Sequence, residues 1–300
     1  MEKIVIFGSN GLLGQSLVNR FHESHQVIAA SLKVSNLNEV EGVPYHQVDM
    51  INRTEMKDFL SSESPDIIIN AAAYTDVDGS EKERELCWNT NVRAVENIID
   101  IANTFNPILV QVSTDYVFDG QQGAYTENDP VNPVGNYARS KMAAENIVTS
   151  SSLEHIIART QVLYGTGNKA KLNFATWVIS RLMHKENINV VTDQVGNPTY
   201  IDDLSESIFR LLQRNEYGLF HVSGPQVISR YEFAKKIAEV FELDGTLINR
   251  ISTNDLKQAA PRPMNSSFVI DKLVNRIDWT SGDVVSGLER LKTKLNGKNG

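Results

Sequence analysis

A tyrosine and a lysine four positions apart, Tyr137 and Lys141, are the residues whose types and spacing best suit acid–base chemistry. On a helix, two residues at this spacing share one face. A tyrosine with its ordinary pKa of about 10 becomes a useful general acid near neutrality when a cation is held beside its phenolate. Lys141 can supply that cation, so the pair predicts a site that protonates a substrate oxygen.

A second pair with the same spacing, Tyr231 and Lys235, shows that the pattern alone decides little. Position separates the two pairs. Tyr137 follows a predicted strand that ends in Ser113 and Thr114, and ligands of open α/β sheets bind beyond the carboxyl ends of strands. We therefore interpret Tyr137 as chemical and Tyr231 as structural. The hydroxyls of Ser113 and Thr114 either contact the substrate oxygen or bond local backbone.

A glycine-rich segment between residues 8 and 14 follows the first predicted strand and opens the first predicted helix. Its spacing is G-x-x-G-x-x-G. Glycines at such a turn allow close backbone approach to a pyrophosphate, and the helix N-terminus adds amide donors. We therefore expect a dinucleotide cofactor here. The residues expected to bind it are Gly8, Asn10, Gly11, Leu12, Leu13 and Gly14.

The end of the second predicted strand bears on which dinucleotide binds. A cofactor with a free ribose 2′-hydroxyl usually meets an acidic residue there. This chain has Ser31 and Lys33 instead, and neither would repel a 2′-phosphate. The residues favour NADPH, with NADH as the alternative.

The elements that must position these residues alternate between strand and helix patterns, which predicts a parallel sheet wound by right-handed crossovers. One long helix is predicted from about Glu81 to Phe105. The predicted strands are Lys3–Phe7, Gln26–Ala30, Tyr45–Val48, Asp66–Asn70, Ile108–Ser113 and His155–Thr160. The fold class is therefore α/β, a Rossmann-type doubly wound parallel sheet.

The rhythm changes after Tyr164, where a smaller, discontinuous C-terminal part begins. We expect residues 1–163 with about 201–223 to form the dinucleotide-binding domain, and residues 164–200 with 224–300 to form the substrate-binding domain. Gly218–Val222 is predicted to rejoin the sheet. Further helices are predicted at Asn173–His184, Ile201–Gln213, Ser229–Phe241 and from about Ser281.

Composition excludes several classes of function. The chain has 300 residues, with 29 basic against 37 acidic residues and a net charge of −8, which disfavours nucleic-acid and anionic-membrane binding. The single Cys87 fits a reducing compartment, and no apolar run reaches the ~20 residues of a membrane span. The histidines lack metal-ligand spacing. We expect a cytoplasmic protein without a metal.

Taken together, these residues resemble the extended short-chain dehydrogenase/reductases, and within them the dTDP-4-dehydrorhamnose reductase family. The resemblance extends from Gly8 to about Leu273. It depends on six ordered motifs, which are Asn70–Asp78, Ser113–Gly120, Tyr137–Lys141, Arg159-Thr160 with Tyr164-Gly165, Asp193–Thr199, and Arg262–Asn265.

The resemblance implies reduction of the C4 carbonyl of a dTDP-4-keto-6-deoxyhexose by NADPH or NADH, giving dTDP-L-rhamnose. Tyr137 would protonate the C4 oxygen, Lys141 would lower the pKa of Tyr137 and hold the nicotinamide ribose, and Thr114 would orient the carbonyl. Further cofactor contacts are implied for Asp49, Met50, Ala71, Ala72, Ala73 and Ser113. Contacts with the nucleotide sugar are implied for Thr75, Asp76, Asp115, Gln194, Asn197 and Arg262.

Some residues depart from the family pattern and keep alternatives open. Val162 stands where relatives often have a tryptophan near the sugar, which leaves the identity of the sugar open. A related epimerase/reductase is one alternative. Tyr116 replaces the glutamate that dehydratases use in elimination, which disfavours dehydration. A regulatory subunit resembling that of methionine adenosyltransferase is the other alternative. A homodimer is compatible with all of these, and some relatives bind Mg²⁺ at a dimer interface.

Overall fold

The computed structural model describes residues 1–34, 36–38 and 40–297. Its strands, in chain order, are β1 (Lys3–Phe7), β2 (Gln26–Ser31), β3 (Tyr45–Gln47), β4 (Ile67–Asn70), β5 (Ile108–Thr114), β6 (His155–Thr160), β7 (Leu163–Tyr164), β8 (Ile188–Val191), β9 (Val195–Gly196), β10 (Thr199–Tyr200), β11 (Gly218–His221), β12 (Ile228–Ser229) and β13 (Ile248–Ile251).

The α-helices alternate with these strands. They are α1 (Leu12–Phe21), α2 (Arg53–Glu63), α3 (Arg84–Trp88), α4 (Ala94–Ala102), α5 (Asn136–Thr149), α6 (Phe174–Met183), α7 (Ile201–Gln213), α8 (Arg230–Val240), α9 (Asp271–Ile277) and α10 (Val284–Gly297).

Seven strands form one parallel sheet in the order β11-β6-β5-β4-β1-β2-β3. The order reverses beside β1, and the glycine-rich turn and the end of β5 lie at the same carboxyl edge. The predicted doubly wound parallel sheet is confirmed. The predicted return of Gly218–Val222 is also confirmed, because β11 pairs with β6 at the sheet edge.

Alternating side chains of the strands build two separate cores. Ile4 and Ile6 point to a core that α1 and α7 cover, whereas Val5 and Phe7 point to a core that α2, α4 and α5 cover. Successive residues of a strand face opposite sides of a sheet, so a strand buried on both sides is apolar throughout. This explains the uninterrupted apolar runs in the sequence.

The single helix predicted from Glu81 to Phe105 is wrong. A 3₁₀ turn occupies Gly79–Glu81, α3 follows, and the π-helical segment Asn89–Arg93 joins α3 to α4, which ends at Ala102. An inserted π turn keeps helical periodicity in the sequence while it shifts the side chains that follow, so the pattern gave no sign of it.

A third core holds the later elements together. Its buried side chains come from β7, β8, β10, β13, α6, α8 and α10. Leu273 and Ile277 of α9 pack into the first core instead, although they lie in the segment assigned to the second part. The proposed division into two domains stays a prediction, and α9 is the element that packs across it.

The packing of α10 on the third core predicts the effect of one substitution. A Cβ at Gly287 would lie 2.0 Å from Oη of Tyr164, whose ring is buried. We expect Gly287→Ala to destabilise the fold by about 1–3 kcal/mol, measured by urea unfolding. A Cβ at Gly297, on the same helix, would meet no atom within 4 Å, so Gly297→Ala should cause no loss. Equal stability of both variants would contradict this packing.

Candidate active site

The glycine-rich turn is shaped by close backbone contacts. Gly8 has φ +75°, and a Cβ there would lie 2.6 Å from the backbone nitrogen of Ala72. A Cβ at Gly14 would lie 2.1 Å from the Gly8 carbonyl oxygen, which itself accepts a 2.8 Å hydrogen bond from the Gly11 amide. These positions require glycine. The turn therefore passes directly against Ala71 and Ala72 after β4.

The turn presents the donors that a pyrophosphate needs. Helix α1 begins at Leu12, with Gly11 as its N-cap, so the first amides of the helix lie at the turn. Ser9 is fully buried, and among the described residues its hydroxyl has no hydrogen-bond partner. A buried unpaired hydroxyl at a helix N-terminus fits a bound anion. Leu13 packs into the first core, and Leu12 is half-buried.

Asn10 fixes the chain that follows β2. Its side-chain nitrogen donates to Tyr45 Oη at 3.0 Å, and its side-chain oxygen accepts from the Leu37 amide at 2.8 Å. Tyr45 in turn donates to the carbonyl of Lys33. Ser31 ends β2 half-buried, and the Lys33 side chain is exposed. The predicted 2′-phosphate residues therefore sit on a segment that the glycine-rich turn holds in place.

The loops after β3 and β4 carry the remaining predicted cofactor residues. Asp49 Oδ1 accepts a 3.0 Å hydrogen bond from the Ile51 amide, and the Met50 carbonyl accepts one from the side chain of Asn97 at 2.9 Å. Asp49, Met50, Ala71, Ala72 and Ala73 are all half-buried. Each of these residues therefore keeps exposed surface that a ligand could contact, at the same sheet edge as the glycine-rich turn.

The predicted acid–base residues converge where β5 ends and α5 begins. Lys141 Nζ donates to the Val112 carbonyl oxygen at 2.7 Å, and the phenol of Tyr137 hydrogen-bonds to Thr114. The rings of Tyr116 and Tyr137 meet edge to face at 5.9 Å. Strand β5 therefore supplies the hydroxyl, and one face of α5 supplies the phenol and the ammonium.

Burial dominates the protonation of this group. It raises the pKa of Tyr137 above its ordinary value, and the hydrogen bond with Thr114 opposes the rise. Burial also lowers the pKa of Lys141 to about 8, against the nearby charges of Glu145 and Cys87. At neutral pH the phenol therefore holds its proton and the lysine is still mostly charged, but the pKa of Tyr137 lies above its ordinary value, opposite to the lowering expected from Lys141.

Residues that the sequence analysis missed fix the start of α5. The Tyr137 amide donates to Ser80 Oγ at 3.2 Å, and the Asn136 amide donates to Glu81 Oε1 at 2.7 Å. Asn136 also donates to the Ser80 carbonyl at 2.9 Å. The 3₁₀ turn before α3 therefore caps the helix that carries the tyrosine.

Asn91, in the π-helical segment, is a second missed residue. It is buried, accepts a 2.8 Å hydrogen bond from the Tyr74 amide, and donates to Ser140 Oγ at 2.9 Å. Asn91 thus ties the loop after β4 to the helix turn between Tyr137 and Lys141. π turns are frequent at functional sites, but they leave no clear pattern in a sequence.

Among the predicted substrate residues, Asp115 is the one buried against Thr114. Its carboxylate accepts a short hydrogen bond of 2.5 Å from the buried Ser266 hydroxyl and another from Thr114 Oγ1 at 3.1 Å. Burial raises the pKa of Asp115 to about 6, although Ser266 and the charge of Arg230 oppose the rise. Thr75 and Asp76 lie exposed on the loop after β4.

Two arginines lie on the later elements near this edge. Arg262 Nη2 forms a 3.0 Å ion pair with Asp78, and its Nη1 donates to the Ala260 carbonyl at 2.9 Å. Arg230, at the start of α8, lies close enough for its charge to oppose the rise that burial causes in the pKa values of Asp115 and Tyr116. The sequence analysis missed Arg230, which follows a helix cap and belongs to no recognisable motif.

The last two predicted substrate residues are already engaged within the protein. Asn197 is buried, accepts from the Phe268 amide at 2.9 Å and donates to the Gly224 carbonyl at 2.9 Å. Gln194 donates to Thr253 Oγ1 at 3.1 Å and to Gln258 Oε1 at 3.3 Å. Both side chains brace the loops that carry the other candidates.

The second tyrosine–lysine pair lies on α8, among the later elements of the chain. The ring of Tyr231 packs against the third core beneath the Arg250 guanidinium. Lys235 is exposed and donates to the Gly245 carbonyl at 3.1 Å. The contacts of both side chains therefore tie α8 to its neighbours.

A dinucleotide-type turn and a threonine–tyrosine–lysine group at one sheet edge define the class of extended short-chain dehydrogenase/reductases. Within that class the family is also shown. The family model described as RmlD substrate binding domain matches residues 1–295, and the chain belongs to this family.

Similar proteins agree with this assignment. The dTDP-4-dehydrorhamnose reductase of Aggregatibacter actinomycetemcomitans is 32% identical over 306 residues, covering 97% of this chain and 99% of that protein. The dTDP-4-dehydrorhamnose reductase of Bacillus anthracis, crystallised with NADP, superposes with a TM-score of 0.88 at 32% identity, covering 98% and 99% of the two chains.

More distant similarity shows which alternatives share the fold. Methionine adenosyltransferase 2 subunit beta of Rattus norvegicus is 26% identical over 279 residues, covering 91% of this chain and 81% of that protein.

Among the described residues, no helix has the length and apolarity needed to cross a membrane. Within the same residues, no group of three or more His, Cys, Asp or Glu side chains could hold a metal ion.

The close approach of Gly8 to Ala72 predicts a binding defect. We expect Gly8→Ala to raise the Kd for NADPH about tenfold or more, a loss of about 1.4 kcal/mol, because the turn must move away from the ligand. Gly42 is the matched control, since it has φ +79° but no atom within 4 Å of an added Cβ. Gly42→Ala should cost about 1 kcal/mol of stability through strain and leave the Kd unchanged. Isothermal titration calorimetry measures the Kd of both variants, and equal Kd values for Gly8→Ala and Gly42→Ala would contradict the expectation.

Proposed function

We propose that this protein reduces the C4 keto group of a dTDP-linked 4-keto-6-deoxy sugar with NADPH, forming dTDP-L-rhamnose. The observation that carries the proposal is the convergence of Thr114, Tyr137 and Lys141 at the end of β5, beside the glycine-rich turn. The dTDP-4-dehydrorhamnose reductases to which the chain is similar along almost its whole length support the choice of substrate.

The three side chains divide the proton chemistry between them. Tyr137 enters the reaction protonated, because burial raises the pKa of its phenol. Its Oη gives the proton to the C4 oxygen, while Thr114 donates a hydrogen bond that orients the same oxygen. The Lys141 ammonium then stabilises the phenolate that is left. A proton donor of this kind contributes about 10²- to 10⁴-fold to the rate.

The cofactor fits the residues that the turn brings together. The amides at the start of α1 and the unpaired hydroxyl of Ser9 would hold the pyrophosphate, and Ser31 with Lys33 would accept a 2′-phosphate. Asp49 and Met50 would contact the adenine, and Ala71 to Ala73 with Ser113 would line the rest. When bound, the nicotinamide supplies the hydride that the carbonyl carbon receives.

The substrate would lie between the end of β5 and the later loops. Asp115, Thr75 and Asp76 would contact the sugar and its nucleotide, and the two arginines, Arg230 and Arg262, would bind the diphosphate that a chain of net charge −8 must hold with local cations. Gln194 and Asn197 would support these contacts. The proposal also includes a homodimer located in the cytoplasm.

Two tyrosine substitutions test the proton donor. Tyr137→Phe removes one oxygen and keeps the ring, so we expect kcat to fall by about 10²- to 10⁴-fold while NADPH still binds. Tyr231→Phe makes the same change in the other pair and should leave kcat within a factor of about three, with at most ~1 kcal/mol of lost stability. Steady-state kinetics on dTDP-4-keto-6-deoxy sugars and thermal melts supply the measurements.

The outcomes separate the rival functions. Equal damage from both substitutions at equal stability would contradict the choice of Tyr137. An absence of turnover by the native protein on dTDP-, GDP- and UDP-linked 4-keto-6-deoxy sugars, with NADPH binding retained, would favour a regulatory subunit instead.

The end of β2 predicts the cofactor preference. We expect kcat/KM to be higher with NADPH than with NADH, because no carboxylate among the residues described there opposes a 2′-phosphate. Ser31→Asp should reverse the order by placing a negative charge beside it. Ser61→Asp, on the exposed surface of α2, adds the same charge elsewhere and should leave the ratio unchanged. Equal use of both cofactors by the native protein would overturn this interpretation.

A further inference from the structure

A buried ion pair lies one helix turn beyond Lys141. The Glu145 carboxylate accepts hydrogen bonds from Arg159 Nε at 2.9 Å and from Arg159 Nη2 at 2.7 Å. It also accepts one from Ser113 Oγ at 2.5 Å. Glu145 and Arg159 are 5% and 4% exposed. The pair joins α5 to β6 across the end of β5.

Stability alone is a weak reason for burying such a pair. Removing two charges from water costs several kcal/mol per ion, and apolar residues of similar volume often serve a fold equally well. Neighbouring residues of α5 are apolar, because Ala144 and Val148 pack in the second core. The charge of Glu145 therefore calls for a reason in its surroundings.

Lys141 supplies that reason, because Glu145 is on the same face of α5 one turn later. Lys141 is buried, and its ammonium donates to a neutral carbonyl, that of Val112. Among the described residues, the charged or titratable groups around it are Glu145 and Tyr137 on α5, Cys87 on α3, and Arg159 on β6 beyond Glu145.

We propose that Glu145 is a positioning residue that keeps Lys141 charged and that Arg159 holds the Glu145 carboxylate in place for this purpose. The proposal rests on the role of Lys141 in the proposed reduction. A carboxylate one turn away compensates the buried ammonium without forming a direct ion pair, so the ammonium stays available to the phenol and to a ligand.

Glu145 also fixes the strand that Lys141 contacts. Its hydrogen bond comes from Ser113, which lies between Val112, the acceptor for Lys141, and Thr114, the partner of Tyr137. The Glu145 carboxylate therefore places a negative charge near the Lys141 ammonium and also fixes the position of β5 relative to α5. This gives Ser113 a use within the protein besides its predicted contact with the cofactor.

Arg159 is held from its far side. Its guanidinium carbon lies 5.1 Å from the centre of the Phe118 ring, and its Nη1 lies 3.5 Å from Nε2 of His221. Burial and the charge of Arg159 lower the pKa of His221 to about 3, so His221 is neutral near pH 7. Among the described residues, Glu145 is the only carboxylate that the Arg159 guanidinium hydrogen-bonds to, so both of these bonds stay on Glu145.

Glu145→Gln tests the proposal, because it removes the charge and keeps the shape. Glu145 raises the pKa of Lys141, so without its charge Lys141 loses its proton at a lower pH. We expect the high-pH limb of kcat/KM to move down by about one pH unit, which is about a fivefold loss relative to the native protein at pH 8. Glu206→Gln is the matched control, since Glu206 on α7 pairs with Arg210 of the same helix and with Arg20 of α1.

A second measurement reads Lys141 without substrate or cofactor. The ¹³Cε resonance of Lys141, assigned by its loss in Lys141→Arg, should titrate at a lower pH in Glu145→Gln and at the native pH in Glu206→Gln. Glu145→Gln combined with Arg159→Met leaves no orphan cation and should show the same direction if the single variant unfolds.

An unchanged Lys141 titration in a folded variant would overturn the proposal. A shifted titration would support it, even if the native protein turned over no nucleotide sugar. That absence of turnover would count against the proposed function alone.

Discussion

The hydrogen bond from Lys141 to the Val112 carbonyl is the interaction on which the site depends, because it brings a buried cation to the end of β5. Burying an ammonium among apolar side chains costs free energy unless polar groups surround it. The polar residues along α5 and β5 answer that requirement. Glu145, Ser113 and Asn91 are all buried, and each fixes an atom within one turn of Tyr137 or Lys141.

The sheet brings the residues of the site together. Strands β1, β4 and β5 are neighbours in parallel register, so the turn after β1, the alanines after β4 and the hydroxyls after β5 reach the same edge. The apolar alternation along the strands fills two cores, and the hydroxyls of Ser113 and Thr114 lie where β5 ends. Chemistry at the carboxyl edge is therefore a consequence of how the rest of the sheet is buried.

The sequence was sufficient to predict the parts that repeat or carry special backbone demands. The apolar runs predicted the sheet, and Gly8 and Gly14 marked a turn where a Cβ would clash. It could not show the π turn at Asn91, because helical spacing survives the insertion. Nor could it show Val162 at φ +47°, a left-handed conformation that β-branched residues rarely adopt. Arg230 was missed because its position depends on how α8 packs, not on nearby residues.

The ion pair between Arg262 and Asp78 constrains how a diphosphate could bind. The Arg262 side chain is 9% exposed and the Asp78 side chain 43% exposed, so the carboxylate is the partner with room to leave. Asp78 also accepts a hydrogen bond from the Ala260 amide at 2.9 Å, which ties the loop after β4 to the loop before Arg262. An anion that displaced Asp78 would release both contacts at once. Binding of the nucleotide would then be coupled to the relative position of these two loops, which flank the end of β5.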